Sequence, residues 1–430
     1  MYNYCTTLTH NLKRGFLNFS EKLTKNFSRP DFKFVSQMIY GILKNQSCML
    51  SDIARGLDES ITLKKSIERL SRHLSAFDKA EMLMDNYMST VKSQINKNTL
   101  LIIDNSDITK DYTTKTECIA TVRDGSTGEY KMGYHTLGIT ALTPKKKMPI
   151  PVYNHIYSAT EEGYISEDEE VIKGLKYLSK NFSKDNIRAF DRGYDNNRYY
   201  EYLIKNGEKF IIRAKKNRDV IYKGKKINIM TLAKQFKGKY KLQFRKKNGI
   251  EADCKITIIP IKLPCKPNKE LNLVVCYGFG KEPMLLITSL KSADKRISVA
   301  VVKIYLMRWR IEEYYRFKKT QFQFENMRVR SLKSIRNLDL MLTMVLGYIG
   351  LLSEKSDERM TVMELIAKSK RIYKPAKFIF YAIADGIFVV LSKGKAGIAD
   401  MLKRKAKSLQ LSLFDDAEFA WTTARKMLCK

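Results

Sequence analysis

One six-residue run, Thr99-Leu-Leu-Ile-Ile-Asp104, does most to limit what this chain can fold into. A short run of β-branched and aliphatic residues ending in an acid is the pattern of a buried strand, and such a strand needs cover on both faces. Two more strand patterns follow at 134–142 and 148–158. Ser166 and the acids 167–170 then open a helix that runs to about 182, because a serine cap and early carboxylates complement the free N–H groups of a helix start. Residues 187–190 are a fourth strand, 196–206 a helix and 209–213 a fifth strand. Three strands, helix, strand, helix, strand predicts an α/β layer built on a mixed sheet.

The flanking segments have other patterns. Residues 1–95 are predicted helical, with helical apolar spacing at 34–43 and a helix over 63–76 that carries Arg69, Arg72 and His73. Short helices with exposed basic side chains suit a helix-turn-helix DNA reader, and equally an ordinary bundle with a solvated basic face. Residues 214–290 break the α/β alternation. Within them, 215–270 hold 17 Lys and Arg against 4 Asp and Glu, and short strand-like runs at 255–260 and 271–276 alternate with turns. This is a mostly β insertion with a cationic surface. A long helix is expected over 293–320, an apolar helix over 335–352, and a helical, basic segment over 354–430 that includes Lys403, Arg404, Lys405 and Lys407.

Charge narrows the partners. The formal net charge is +34 in a chain that is 44% hydrophobic, too apolar for a disordered basic tail. A field of that sign attracts polyanions, nucleic acid first and an anionic membrane surface second. The stretch 338–352 contains Asp339 and Thr343 and falls short of the ~20 apolar residues a membrane span needs, so it is predicted to be a core helix. Seven widely spaced cysteines without a Cys-x-x-Cys pair argue against a zinc ribbon or a disulfide framework. No apolar leader is visible in residues 1–15, and a reducing, cytoplasmic setting is expected.

Two aspartates occupy equivalent places, Asp104 ending the first strand and Asp191 following the fourth. The carboxyl ends of strands in α/β sheets face the crevice where sites form. Two carboxylates meeting there repel unless a cation lies between them. Each is also an ordinary turn former, and Asp107 and Asp195 are nearby rivals. On the long helix, Tyr305, Arg308, Glu312 and Lys319 are separated by three, four and seven residues, which places them on one face. A carboxylate flanked by two cations and a phenol suits a phosphate backbone with a metal ion, and also suits a solvated face of i,i+4 ion pairs. Glu313 points about 100° away from this stripe.

Together, Asp104, the Asp191-Arg-Gly-Tyr-Asp195 run and Tyr305-x2-Arg308-x3-Glu312-x6-Lys319 resemble the signature of bacterial insertion-sequence DDE transposases of the Y-R-E-K subgroup. The resemblance covers about 98–350. It implies an RNase-H-like catalytic core interrupted by a β insertion before the glutamate helix. It also implies two divalent ions, Mg²⁺ with Mn²⁺ as a substitute, held by Asp104, Asp191 and Glu312. Arg213, Tyr305, Arg308 and Lys319 are then expected to contact DNA. Met284 stands where the subgroup often has a tryptophan that stacks on a flipped base, so it is a further DNA-contact candidate.

The implied domains are an N-terminal DNA-binding region (1–95), a core in two parts (96–213 and 291–353) around the insertion (214–290), and a C-terminal region (354–430) that mediates dimerisation. The implied partners are double-stranded transposon ends and target DNA, bound by a homodimer in the bacterial cytoplasm at the nucleoid, with no membrane role. Two alternatives share parts of this logic: another RNase-H-like nuclease or integrase, and a domesticated DNA-binding protein that does not cut.

Overall fold

The computed structural model describes residues 2–402 apart from positions 112, 114, 246–250, 292–293, 355–359, 371–378, 395–396 and 400. The basic residues 403–405 and 407 lie outside the described residues. Five helices open the chain: α1 (Tyr2–Leu23), α2 (Arg29–Asn45), α3 (Leu50–Leu57), α4 (Leu63–Ala76) and α5 (Ala80–Val91). They are not packed around a core of their own. Leu70, Leu74 and Tyr87 are fully buried in the same apolar cluster as Ile103, Leu342 and Ile383. The Asn337 amide donates to the carbonyls of Leu74 and Phe77, and the Tyr87 hydroxyl donates to the Pro151 carbonyl.

The central sheet begins with β1 (Leu101–Thr109), β2 (Ala120–Arg123), β3 (Tyr130–Leu142) and β4 (Pro149–Tyr157). It continues through α6 (Glu167–Asn181), β5 (Arg188–Phe190), α7 (Asn197–Lys205) and β6 (Phe210–Arg213). Strand β1 is antiparallel to β3 and parallel to β5, and β5 is parallel to β6. Strands β2 and β4 pair with successive lengths of the other edge of β3. An antiparallel meander joined to two parallel crossover strands is the mixed RNase-H-like core expected. Ser166 caps α6 as its sequence predicts, its side chain accepting from the Glu169 N–H at 3.3 Å. Strand β2 lies outside the predicted set.

The insertion contains β7 (Asp219–Tyr222), β8 (Lys225–Asn228), α8 (Ile229–Lys234), β9 (Tyr240–Arg245), β10 (Glu251–Leu263), β11 (Lys266–Tyr277) and β12 (Met284–Thr288). It is an extension of the central sheet, because β12 pairs antiparallel with β6 and carries β11 and β10 after it. Alternating apolar residues on these strands, Cys254, Ile256, Val274, Cys276, Met284 and Leu286, form a second buried cluster with Ile211 of β6, closed by Val301, Val302 and Tyr305.

The long helix expected over 293–320 is broken. Helix α9 (Lys295–Met307) ends at a turn through Arg308 and Trp309, α10 (Arg310–Arg316) follows, and 317–321 form a wider π-helical turn closed by the Phe322 N–H on the Phe317 carbonyl at 3.3 Å. Helix α11 (Leu332–Glu354) is the apolar helix. It is long and apolar enough to cross a membrane by composition, yet 78% of its most apolar window is buried in the protein. It packs on β4, α2 and α4, with α12 (Met360–Lys368) and α13 (Ile379–Ser392) beyond it.

Candidate active site

The sheet register brings the two aspartates together. Ile103 pairs with Phe190 across the parallel strands β1 and β5, so Asp104 and Asp191 follow at the same level on neighbouring chains. Asp104 does not end its strand: β1 continues to Thr109 against β3, and it is the parallel pairing with β5 that stops beside it. Asp191 leaves β5 and caps the 3-10 turn 192–194, its Oδ1 accepting from the Gly193 N–H at 2.6 Å.

Asp104 is held from below. The Tyr315 hydroxyl on α10 donates to the Asp104 carbonyl at 2.7 Å. Gly138 lies opposite Asp104 on β3, and a Cβ there would collide with that hydroxyl. Glycine is therefore needed so that the helix can approach the sheet this closely.

Arg308 joins the acids. At the break between α9 and α10, its Nη1 donates to Asp104 Oδ2 and its Nη2 to Glu312 Oε1, both at 2.7 Å. Burial pushes the Asp104 carboxyl up to about 7; Arg308 opposes the rise, and the charges of Asp191 and Glu312 add to it. The three acids thus share one electrostatic environment although they come from β1, the end of β5 and α10. Burial works against the charge on Arg308, but Asp104, Tyr305 and Glu312 outweigh it and hold the guanidinium more firmly protonated.

Tyr305 and Arg213 flank this group. Burial raises the Tyr305 phenol, countered by Arg308 and by Arg213, which shares a hydrogen bond with it. The Arg308 guanidinium lies 6.0 Å from the Tyr305 ring centre. The structure therefore assembles Asp104, Asp191, Arg213, Tyr305, Arg308 and Glu312.

Two candidates are elsewhere. Lys319 donates to Asp107 Oδ2 at 2.7 Å and approaches Glu325 Oε1 at 3.3 Å. A single face running from Glu312 to Lys319 needs an unbroken α-helix, and the π-turn at 317–321, which contains Lys319, changes the phase between them. Met284 is 3% exposed within the insertion cluster, so it presents no surface on which a base could stack. Its position opposite Cys276 at the start of β12 turns its side chain into the core.

The rival acids are committed to the scaffold. Asp107 holds Lys319 and the Gly125 N–H. Asp195 accepts from Tyr200 and from the Lys215 N–H and pairs with Arg218. Glu313 is 5% exposed and pairs with Arg316. Tyr315 and Gly138 are silent in the sequence, since nothing in their local pattern reports a contact between α10 and the β1–β3 pair. Equally silent is Tyr194, 5% exposed, whose hydroxyl has no hydrogen-bond partner among the described residues. Burial and the charges of Asp104 and Asp191 raise that phenol well above its usual range.

Three carboxylates with one buried arginine between two of them form a donor set that suits a hard divalent cation, which prefers oxygen ligands. Among the described residues, no three such side chains are drawn into a closed ligand group, and the Arg308 bridge lies where two of them would converge.

Comparison with known proteins bears on the same region. No curated relative matches the chain. A piggyBac transposase, solved by cryo-electron microscopy as a synaptic complex with hairpin DNA, is 10% identical with a TM-score of 0.48, over 89% of this chain and 74% of that one. Residues 166–347, which carry Asp191, Arg213, Tyr305, Arg308 and Glu312, match the family described as the transposase DDE domain.

Proposed function

We propose that the chain is a DNA transposase of an insertion sequence that binds terminal inverted repeats, cuts there and joins the freed end to target DNA. The observation that carries this reading is the convergence of three acids from separate elements, Asp104 and Glu312 bridged by Arg308 and Asp191 acting on Asp104 beside them, in a protein of net charge +34. DNA binding alone has no use for three acids brought together in so basic a protein. The transposase DDE domain match over 166–347 supports the same reading.

Asp104, Asp191 and Glu312 would hold divalent ions, two Mg²⁺ by the logic of the resemblance. Bound there, the ions supply charge neutralisation at the phosphoryl oxygens and a water of lowered pKa. The protein's own residues do the positioning. Tyr315 fixes the backbone of Asp104, Gly193 fixes the Asp191 carboxylate, and Arg308, Arg213 and Tyr305 offer donors to phosphate oxygens beside the acids. The exposed face of α4 (Lys64, Lys65, Arg72) is the surface we assign to end recognition, and two chains would act together to process two ends.

The test uses a plasmid bearing the DNA that flanks the gene, incubated with Mg²⁺ or Mn²⁺. Asp104→Asn, Asp191→Asn and Glu312→Gln should each lower end cleavage by about 10²–10³-fold while duplex binding persists. Normal cleavage by any of the three would remove that residue from the site. Cleavage without joined product would favour a nuclease.

A further inference from the structure

Arg308 has a second consequence, which rests on the metal-dependent reading above. Its guanidinium spends two of its donors on the two acids, Asp104 Oδ2 and Glu312 Oε1, each at 2.7 Å. Its side chain is 10% exposed and that of Asp104 16%, so this half of the bridge is internal, while Glu312 at 41% reaches solvent. A divalent ion needs lone pairs of the same carboxylates, and two cations do not share them at this spacing without strong repulsion. An ion that takes Asp104 and Glu312 together competes with Arg308 for the same two carboxylates, and an Arg308 that leaves uncompensated strands a buried charge. A phosphate removes that cost, because a guanidinium binds phosphate and carboxylate in the same bidentate manner. Tyr305 and Arg213 stand beside it with further donors.

We propose that Arg308 makes the metal site conditional on DNA, holding Asp104 and Glu312 in the free protein and exchanging them for a backbone phosphate when DNA binds. Divalent ion and DNA then bind cooperatively, and each raises the affinity of the other by the same factor. The device suits an enzyme whose ions are dangerous without the correct substrate in place.

The experiment titrates the full-length protein with Mn²⁺ alone, followed by calorimetry or by the electron-spin signal of free Mn²⁺, with and without a short DNA duplex. For the wild type the duplex should tighten Mn²⁺ binding by about 5–150-fold. Arg308→Gln should bind Mn²⁺ more tightly than wild type without DNA and lose most of the gain that DNA confers. Arg308→Lys keeps the charge, loses the two-pronged bridge and should fall between the two; it stands in if Arg308→Gln does not fold. Equal or weaker Mn²⁺ binding by the folded variants without DNA, or an undiminished DNA effect, overturns the exchange. Asp191→Asn separates the two levels of the argument. If wild type binds Mn²⁺ and Asp191→Asn does not, the metal site stands whatever Arg308 does. If wild type binds no Mn²⁺ even with DNA, the site itself fails and the exchange with it.

Discussion

Tyr315 donates its hydroxyl to the backbone carbonyl of Asp104 at 2.7 Å, and the residue opposite Asp104 on the next strand is Gly138, whose missing side chain leaves room for that hydroxyl. Helix α10 is thereby tied to the strand that carries one proposed catalytic acid, while the same helix carries another, Glu312. Tyr315→Phe should cost about 1 kcal/mol, the net worth of a buried hydrogen bond. Gly138→Ala should cost about 1–3 kcal/mol through overpacking. The two changes touch the same atoms, so the double variant should be less unstable than the sum of the singles. Urea unfolding of the four proteins measures this; strict additivity would mean that the two residues do not meet.

His155 supplies a pH dependence away from the acids. Burial lowers its pKa below 6.5, and Arg336 adds to this, while Glu170 and Glu161 oppose it; Lys173 also faces the group. Its Nε2 lies 3.2 Å from Glu170 Oε2, and its ring is 6.1 Å from that of Tyr157. The folded state binds this proton less readily than the unfolded chain does. Stability from this group is therefore full above pH 6.5 and is lost as pH falls through the lower, folded value. Melting curves between pH 7.5 and 5, on the ordinary imidazole scale, should fall more steeply for wild type than for His155→Gln. Parallel curves would show that another group controls that range.

How much was legible from the residues follows from how local each signal is. The strands around Ile103, Phe190 and Ile211 are visible because buried parallel strands demand unbroken aliphatic runs. The α6 start is visible because Ser166 and its acids satisfy free N–H groups by local rules. Four-residue β2, Ala120–Arg123, alternates buried and exposed too briefly to stand out. The turn at Arg308 and Trp309 and the π-turn at 317–321 are silent because neither glycine nor proline marks them, and it is the π-turn that separates Lys319 from Arg308 and Glu312. Spacing alone points to Met284, and spacing does not say which way a side chain on β12 points. Tyr315 and Gly138 depend on a contact between segments far apart in the chain, which no local pattern records.

Helix α4 offers a direct test of end recognition. Lys64, Lys65 and Arg72 are exposed, whereas Ser66, Leu70 and Leu74 on the opposite side are buried. Replacing the three cations with alanine should leave the melting temperature within a degree or two, since exposed substitutions away from the core usually cost under ~0.5 kcal/mol. Preference for the element's ends over random duplex should fall. Each lost phosphate contact should also reduce the slope of log affinity against log salt by about 1. Unchanged preference in the triple variant would place end recognition on another surface.

Lys319 should behave as a scaffold residue in the free protein. Its ammonium is shared between Asp107, whose side chain is 9% exposed, and Glu325, and Asp107 also accepts from the Gly125 N–H. Removing the cation leaves Asp107 buried without its partner, a change that costs about 3–5 kcal/mol for a fully buried pair and less here because Lys319 is 21% exposed. Lys319→Met should therefore lower stability by about 2–3 kcal/mol on that scale. Asp107→Asn in the same chain should restore part of the loss, because the stranded charge is then gone. A lysine reserved for DNA phosphate, held in solvent until DNA arrives, would behave differently: its loss would weaken DNA binding and leave denaturant unfolding unchanged. Unfolding and duplex affinity measured on Lys319→Met and the double variant distinguish the two roles. A destabilised single variant rescued by Asp107→Asn would show that the lysine named in the helix stripe braces β1 against the π-turn.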